Sequence, residues 1–239
     1  MTTTTPPAAV TYHQLQQAVG WTAFLMPIVV RVLAYVWQGV FTTTSISAYY
    51  YTGLREVFVG SLVTGGVLLA FFRTASMSDK VIAIVGGLAA IGIALFPMTV
   101  TGGDVSSMMV KSPEDAKRYL DSLRDGPHGP LGYHIYFVGA FFAAVFYLVT
   151  FRFQANTPAM PTAEKLQRNR WYRRLGILMA LAFACIGYLH FMASDASIFW
   201  PESIAVMAFA AAWLIKGQLI LKDPPGYETP PLPLTSNVG

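Results

Sequence analysis

Hydrophobic residues in this chain fall into six continuous stretches that are separated by short polar links. Each stretch is close to the roughly 20 residues that an α-helix needs to cross about 30 Å of hydrocarbon. The apolar residues run on without the alternation that is typical of transmembrane β-strands. The pattern predicts an all-α fold, a polytopic transmembrane bundle of six helices, with spans at residues 19–38, 56–72, 81–97, 132–151, 175–192 and 200–215.

Turn and capping residues add detail between and around the spans. Ser112 and Pro113, followed by two acids, favour the start of a short extracytoplasmic helix that continues to Arg124, between spans three and four. Thr162 is placed to cap a helix that runs directly into span five. We therefore expect an N-terminal tail at residues 1–18, a transmembrane domain at 19–222 and a disordered tail at 223–239.

The composition agrees with a lipid-embedded protein. Hydrophobic residues make up 54% of the chain and charged residues only 12%, whereas soluble domains have about 25% charged residues. The net charge of +4 gives no reason to expect a nucleic-acid partner, because membrane orientation explains where the basic residues lie. Cys185 is the only cysteine, which excludes an intrachain disulfide and a cysteine-based metal cluster.

The basic residues near the spans are unevenly divided between the two membrane faces. One face has most of these basic residues, which we call the main group. The other face has Arg55 and a link in which four basic residues are interleaved with four acids. Because Lys and Arg concentrate on the cytoplasmic side, the sequence predicts a multi-pass protein of the cell (inner) membrane with both termini in the cytoplasm. The main group, on the predicted cytoplasmic face, is Arg73, Lys80, Arg152, Lys165, Arg168, Arg170, Arg173, Arg174, Lys216 and Lys222.

Polar and ionisable residues gather at the outer ends of the spans, and one arginine lies inside span one. An ionisable group at membrane depth costs roughly 2.5–3.5 kcal/mol on insertion scales, so such groups indicate function. Together they predict a binding pocket in the outer half of the bundle. The predicted binding residues are Arg31, Ser47, Tyr51, Arg55, Glu56, His134, His190 and Glu202.

Several of these residues also have a purely structural explanation. Glu56 and Glu202 begin helices, where the helix dipole favours an acid, and His190 ends a helix, where the dipole favours a histidine. Arg31 lies among apolar residues of span one and is expected to pair with Glu56 or Glu202. That pairing is either a structural salt bridge or part of an anion-binding site.

Small residues and tryptophans are assigned to packing and to membrane anchoring. Span two contains Gly60, Gly65 and Gly66, and span three contains Gly86 and Ala90, with the small-xxx-small spacing that lets helices approach closely. The tryptophans lie near predicted span ends and are expected to sit at the membrane interfaces. They are Trp21, Trp37, Trp171, Trp200 and Trp213.

Three segments carry a resemblance to a known family: residues 45–60 (SISAYYYTGLREVFVG), 94–97 (ALFP) and 202–217. They are similar to a widespread bacterial family of six-span membrane proteins of unknown function, which is loosely similar to the Frag/DRAM/Sfk-type membrane proteins. The resemblance covers most of residues 20–222. It implies a six-span fold and brings no assigned activity.

The chain is also distantly similar to the CREST superfamily of membrane hydrolases, which bind zinc. Ser47 matches the serine of that family's early Ser-x-x-Phe-His motif, but Tyr51 stands where the family has the histidine. Four residues after His190 comes Ser194, where the family has a second histidine. The chain also has six predicted spans where the family has seven. These departures remove two of the zinc ligands that the resemblance would imply.

Three functions stay open on the sequence. The first is a protein that binds a lipid or small molecule in the outer-half pocket, or that serves as an accessory membrane subunit. For this function the expected partner is the lipid bilayer, and no cofactor is expected. The second is a metal-dependent membrane hydrolase for a lipid-like substrate, with zinc held by His134, His190 and Asp195. The third is a small-molecule transporter that uses Arg31 and Glu202, although the two halves of the chain show no repeat.

Overall fold

The computed structural model describes residues 11–38, 44–72, 76–98, 133–155, 157–158, 160–192 and 196–224, and the regular elements in these residues are all helical. Helix α4 continues through a π-helical turn, Leu148–Arg152, into a short last turn, Phe153–Ala155. A 3-10 helix, Ser47–Tyr51, precedes α2. The all-helical prediction is confirmed for this part of the chain. Its main helices are α1 Tyr12–Gln38, α2 Arg55–Ala70, α3 Met77–Leu95, α4 Tyr133–Tyr147, α5 Ala163–Met192 and α6 Phe199–Lys216.

Consecutive helices pack against one another, and α1 packs against α6. At one end, Gln17 Nε2 near the start of α1 donates to the carbonyl of Gly217, directly after α6, at 2.7 Å. At the other end, the ring of His134 at the start of α4 meets the carbonyl of Phe96, directly after α3. The helices therefore alternate in direction. We call the end where α2, α4 and α6 begin the Glu202 end, and the opposite end the Arg168 end.

Several of the helices are long and apolar enough to cross a membrane. Five described helical segments meet this condition: Tyr12–Trp37, Met77–Leu95, Tyr133–Ala155, Ala163–Met192 and Phe199–Lys216. Helix α2, with 16 residues, is shorter than these. Large apolar side chains, such as Phe71, Tyr136 and Phe191, are exposed on the outside of the helices, as suits contact with lipid. These features indicate a membrane-embedded helical protein.

Helix α1 begins at Tyr12, ahead of the predicted start at residue 19, so the predicted N-terminal tail is partly helical. The cause is a capping box. The Thr11 N–H donates to Gln14 Oε1 at 2.7 Å, and the Gln14 N–H donates to Thr11 Oγ1 at 3.2 Å. The predicted cap of α5 is confirmed, because Thr162 Oγ1 accepts the Lys165 N–H at 3.0 Å and the helix runs unbroken to Met192.

Helix α6 ends in a Schellman motif, in which Gln218 takes a left-handed φ of 53°. Beyond this turn the chain reaches the start of α5, where the carboxylate of Asp223 pairs with Arg168 at 2.8 Å. Asp223 is therefore anchored, although the sequence predicts a disordered tail from residue 223. Residues 225–239 and the predicted short helix at 112–124 lie outside the described residues.

The predicted close packing of α2 and α3 is confirmed at one pair of glycines. A Cβ built on Gly66 would lie 2.6 Å from the carbonyl oxygen of Gly87, so the two backbones touch. Gly60 has a different setting, because a Cβ there meets nothing within 4 Å. Of the small residues in span two, Gly66 therefore makes the close helix contact and Gly60 does not.

The prediction that Trp213 lies at a membrane interface is wrong. Its side chain is fully buried, with 0% exposure, whereas the sequence places it at a membrane interface. Its ring packs edge-on against Phe72 at 4.7 Å and Phe153 at 5.3 Å between ring centroids. The other four tryptophans are exposed. Trp213 thus belongs to the core of the bundle near the Arg168 end.

Candidate functional site

The chain between α1 and α2 folds inward at the Glu202 end. Within residues 44–54, which we call the 44–54 segment, every residue from Ser45 to Thr52 is buried. This segment contains the 3-10 helix and the tyrosines Tyr49, Tyr50 and Tyr51. A buried irregular backbone needs hydrogen-bond partners for its polar groups. Side chains from other helices supply several of them.

Glu202, in the first turn of α6, holds the beginning of the 44–54 segment. Its carboxylate accepts the Ile46 N–H at 2.7 Å and the Ser45 hydroxyl at 2.8 Å. The residue is only 8% exposed. The Ser45 Oγ in turn accepts the Ser47 N–H at 3.1 Å. A carboxylate accepting bonds from buried donors is a strong anchor, because charge-assisted hydrogen bonds are about twice as strong as neutral ones.

His134, at the start of α4, joins the same segment to the end of α3. Its Nδ1 lies 2.7 Å from the Phe96 carbonyl oxygen, and its Nε2 lies 3.1 Å from Ser47 Oγ. A carbonyl only accepts, so Nδ1 carries a proton and donates. In the neutral ring Nε2 then accepts the Ser47 hydroxyl. Both ring nitrogens of this buried histidine are used within the protein.

A serine bonded to a histidine is also the arrangement of an activated nucleophile and its base. Acyl transfer further requires N–H groups directed at the developing oxyanion. The nearest backbone donors are already bonded: the Ser47 N–H to Ser45 Oγ, and the Ala48 N–H to the Ser45 carbonyl at 3.3 Å. The Ser47–His134 contact therefore fixes the position of the segment, and the described residues do not complete a hydrolase site around it.

Tyrosines and arginines complete the Glu202 end. The Tyr51 hydroxyl donates to the Met98 carbonyl at 2.6 Å, which ties the 44–54 segment to the chain after α3. Arg55 is exposed and donates to the Tyr50 hydroxyl at 2.6 Å. The Arg31 guanidinium lies over the ring of Phe199, with its carbon 4.8 Å from the ring centroid. Arg31 thus reaches the first turn of α6, close in sequence to Glu202.

The structure brings together only part of the predicted binding set. Ser47, Tyr51, His134 and Glu202 all contact or belong to the 44–54 segment. Arg31 and Arg55 lie at its edge and stack on aromatic rings. Glu56 and His190 are exposed. The members of this set are arranged around a buried piece of backbone.

The proposed zinc ligands do not form a site among the described residues. No group of three His, Cys, Asp or Glu side chains that could hold a metal occurs in this part of the chain. His134 has both ring nitrogens engaged, and His190 lies exposed at the end of α5 against Phe191. Asp195 lies outside the described residues. As placed among the described residues, His134 therefore has no free ring nitrogen for a zinc ion.

A separate, apolar cleft lies at mid-length between α1 and α2. Its volume is about 50 Å³, and apolar atoms form almost all of its wall. Thr22 and Met26 line it from α1, Ser61 and Gly65 from α2, and Phe209 from α6. Thr22, Ser61 and Gly65 are half-buried, so the cleft opens on the outside of the bundle between these two helices. None of the eight predicted binding residues lines it.

Two contributors to these sites are not among the predicted binding residues. Ser45 donates its hydroxyl to Glu202, and it lies in the polar stretch that the sequence places at the outer end of span two. The cleft follows from Gly65, which leaves space because a Cβ there would meet only Thr22 Cγ2, at 4.0 Å. The small-xxx-small pattern identifies such a glycine but does not distinguish a packed position from an open one.

Comparisons with known proteins find no matching family model, no matching curated protein and no matching solved structure.

The two histidines are expected to respond differently to replacement. His134→Ala leaves the Ser47 hydroxyl and the Phe96 carbonyl without their partner and opens a void, so we expect it to destabilise the protein by about 2–4 kcal/mol. His190→Ala, at an exposed position, is expected to change stability by less than about 0.5 kcal/mol. Thermal unfolding of both variants in detergent measures the difference. Equal melting temperatures for the two would contradict the role given to His134.

Proposed function

We propose that this protein is a multi-pass membrane protein that binds a segment of a lipid acyl chain, or an apolar molecule of similar width, in the cleft between α1 and α2. The observation that supports the proposal is the apolar cleft of about 50 Å³ that opens between α1 and α2. The ligand is of the class that the sequence predicts. The place is different, because the cleft lies at mid-length and the predicted pocket lies in the outer half.

The shape and chemistry of the cleft suit an aliphatic chain. Its volume corresponds to a few heavy atoms, since one water needs roughly 10–15 Å³ on the same measure. A cavity lined by apolar atoms does not retain water and accepts apolar guests. The flanking hydroxyls of Thr22 and Ser61 stand on the two helices that border it. The cleft would hold part of an acyl chain and leave the rest of the lipid in the bilayer.

The membrane arrangement is part of the same proposal. We take α2 as a sixth span, because its 16 residues rise about 24 Å and it is packed between α1 and α3. The Arg168 end carries the basic residues of α5, so the positive-inside rule places that end, and both termini, in the cytoplasm. On this orientation the 44–54 segment lies on the outer side of the cell membrane.

Photocrosslinking tests the cleft. The purified protein is reconstituted with a phosphatidylcholine that carries a diazirine on one acyl chain, and labelled peptides are mapped by mass spectrometry. We expect labelling to concentrate around Thr22 and Ser61. Gly65→Leu is expected to remove most of it, because a Cβ at this position meets only Thr22 Cγ2, at 4.0 Å, and the rest of the new side chain extends into the cleft.

Gly60→Leu is the matched control. It makes the same substitution in the same helix, at a position where a Cβ meets nothing within 4 Å. We expect this variant to keep the wild-type labelling pattern. The proposal fails if Gly65→Leu is labelled as strongly as Gly60→Leu, or if labelling is spread evenly over every exposed apolar helix face.

A further inference from the structure

Basic side chains from α5 and α6 meet at the Arg168 end, in a part of the molecule that the cleft does not include. Lys165 and Arg168 are buried, with 8% and 5% exposure, and Lys216 is half-buried. We call these three residues the basic cluster. Buried lysine and arginine are rare unless a charged partner accompanies them. The partners of each member therefore indicate what else the site needs.

Arg168 already has its counter-ion. Its guanidinium donates to both carboxylate oxygens of Asp223, at 2.9 and 2.8 Å, and to the Leu221 carbonyl at 2.5 Å. Asp223 also accepts bonds from the Thr162 hydroxyl and from Gln218 Nε2, both at 2.9 Å. This carboxylate is thus fully occupied in holding the chain after α6 against the start of α5.

The two lysines have no such partner in the described part of the chain. The only hydrogen bond of Lys165 Nζ there is to the Phe153 carbonyl, at a long 3.5 Å. The Lys216 ammonium lies over the Phe153 ring, 5.2 Å from its centroid. Both ammonium groups therefore meet at Phe153, and neither forms an ion pair with a described carboxylate. Asp79 is close enough to Lys216 to interact with its charge, but its carboxylate is paired with Arg152 at 2.5 Å.

The charges do not balance within this group. With both lysines protonated, the basic cluster has two positive charges more than the single carboxylate of Asp223 compensates. A buried charge without compensation costs several kcal/mol. An anion from outside the described residues would remove this cost. Two ammonium groups from neighbouring helices suit a phosphate, which has several acceptor oxygens and which lysine binds as a point charge.

We propose that Lys165 and Lys216 bind a phosphate group beside the Arg168–Asp223 pair. The phosphate belongs either to the headgroup of an anionic phospholipid or to a free phosphate compound. Basic pockets between transmembrane helices on the cytoplasmic side bind anionic headgroups in other proteins, and the ends of α5 and α6 stand at that level in the orientation proposed above. The site shares no residue with the cleft, so either can be lost without the other.

Thermal unfolding in a neutral detergent separates the two sources of phosphate. Phosphatidylglycerol, phosphatidylcholine and inorganic phosphate are titrated in parallel into wild-type protein. Saturable stabilisation by phosphatidylglycerol alone identifies a lipid headgroup, and stabilisation by inorganic phosphate identifies a free anion. Stabilisation by neither phosphatidylglycerol nor phosphate, or equal stabilisation by the zwitterionic phosphatidylcholine, would overturn the proposal.

The variant Lys165→Gln/Lys216→Gln tests the two lysines directly. Its half-saturating concentration for the stabilising anion is expected to rise at least about tenfold, because each lysine contributes to anion attraction at the membrane surface. Without the anion, the double variant is expected to have a melting temperature no lower than that of wild type, because two uncompensated charges are gone. Such a melting temperature would show that the variant folds. Arg170→Gln, at an exposed position on α5, is the matched control. An equal rise in the half-saturating concentration of the control would show that the anion is attracted to the basic surface in general, and it would contradict the proposed site.

Discussion

Glu202→Ala is expected to lower the free energy of unfolding by about 2–4 kcal/mol. The carboxylate accepts the Ile46 N–H and the Ser45 hydroxyl, and both donors are buried. Without it they stay unsatisfied in a region that excludes water, and the 44–54 segment loses its attachment to α6. Thermal unfolding in detergent should show a lower melting temperature by about 5–15 °C.

Glu56→Ala is the control for this change. Glu56 lies in the first turn of α2, as Glu202 lies in the first turn of α6, so both acids interact with a helix dipole in the same way. Glu56 is exposed, however, and Glu202 is buried. We expect Glu56→Ala to cost less than about 1 kcal/mol. Comparable losses for the two variants would show that the dipole, and not the 44–54 segment, explains Glu202.

Replacing glycine by alanine in α2 is expected to change the stability of the protein in opposite directions at two positions. Gly66→Ala places a Cβ 2.6 Å from the Gly87 carbonyl oxygen, so α2 and α3 must separate. Overpacking of this kind costs about 1–3 kcal/mol or more, because backbone cannot move aside as a side chain can. Gly60→Ala meets nothing within 4 Å and should stabilise α2 by up to about 1 kcal/mol through helix propensity.

The measurement is the melting temperature of both variants in the same detergent, with size-exclusion chromatography to confirm that each is monodisperse. The melting temperature of the wild type should lie between those of the two variants. If both alanines stabilise the protein, α2 and α3 are not in backbone contact at Gly66. If both destabilise it, Gly60 faces a partner that the fold described above does not give it.

The sequence predicts the helices better than it predicts their contacts. Apolar runs locate α2 through α6, and Thr162 correctly marks the start of α5. The start of α1 was missed, even though Thr11 and Gln14 form a capping box that is visible in the sequence. The apolar run dominated that prediction because the first turns of α1 carry polar residues. Gln16 among them is buried, and Gln17 bonds to Gly217, directly after α6.

The candidate sites could be predicted only in part, for a physical reason. A polar residue near a span end costs little if it faces headgroups, so the sequence alone does not tell Glu56 from Glu202 or His190 from His134. Burial distinguishes them, and burial depends on where the 44–54 segment folds. Likewise Gly60, Gly65 and Gly66 are alike as residues, yet one faces open space, one faces the cleft and one touches α3.

By itself the sequence determined that this is a helical, membrane-embedded protein, because the length and apolar character of a helix are local properties that hydrocarbon selects directly. The tertiary structure decided which polar residues meet: Glu202 with Ser45 and Ile46, and His134 with Ser47 and Phe96. It also decided that an apolar cleft lies beside Gly65 and that Lys165 and Lys216 share Phe153. These are contacts between distant parts of the chain. They depend on helix rotation and on the path of the connecting segments, neither of which a hydrophobic pattern specifies.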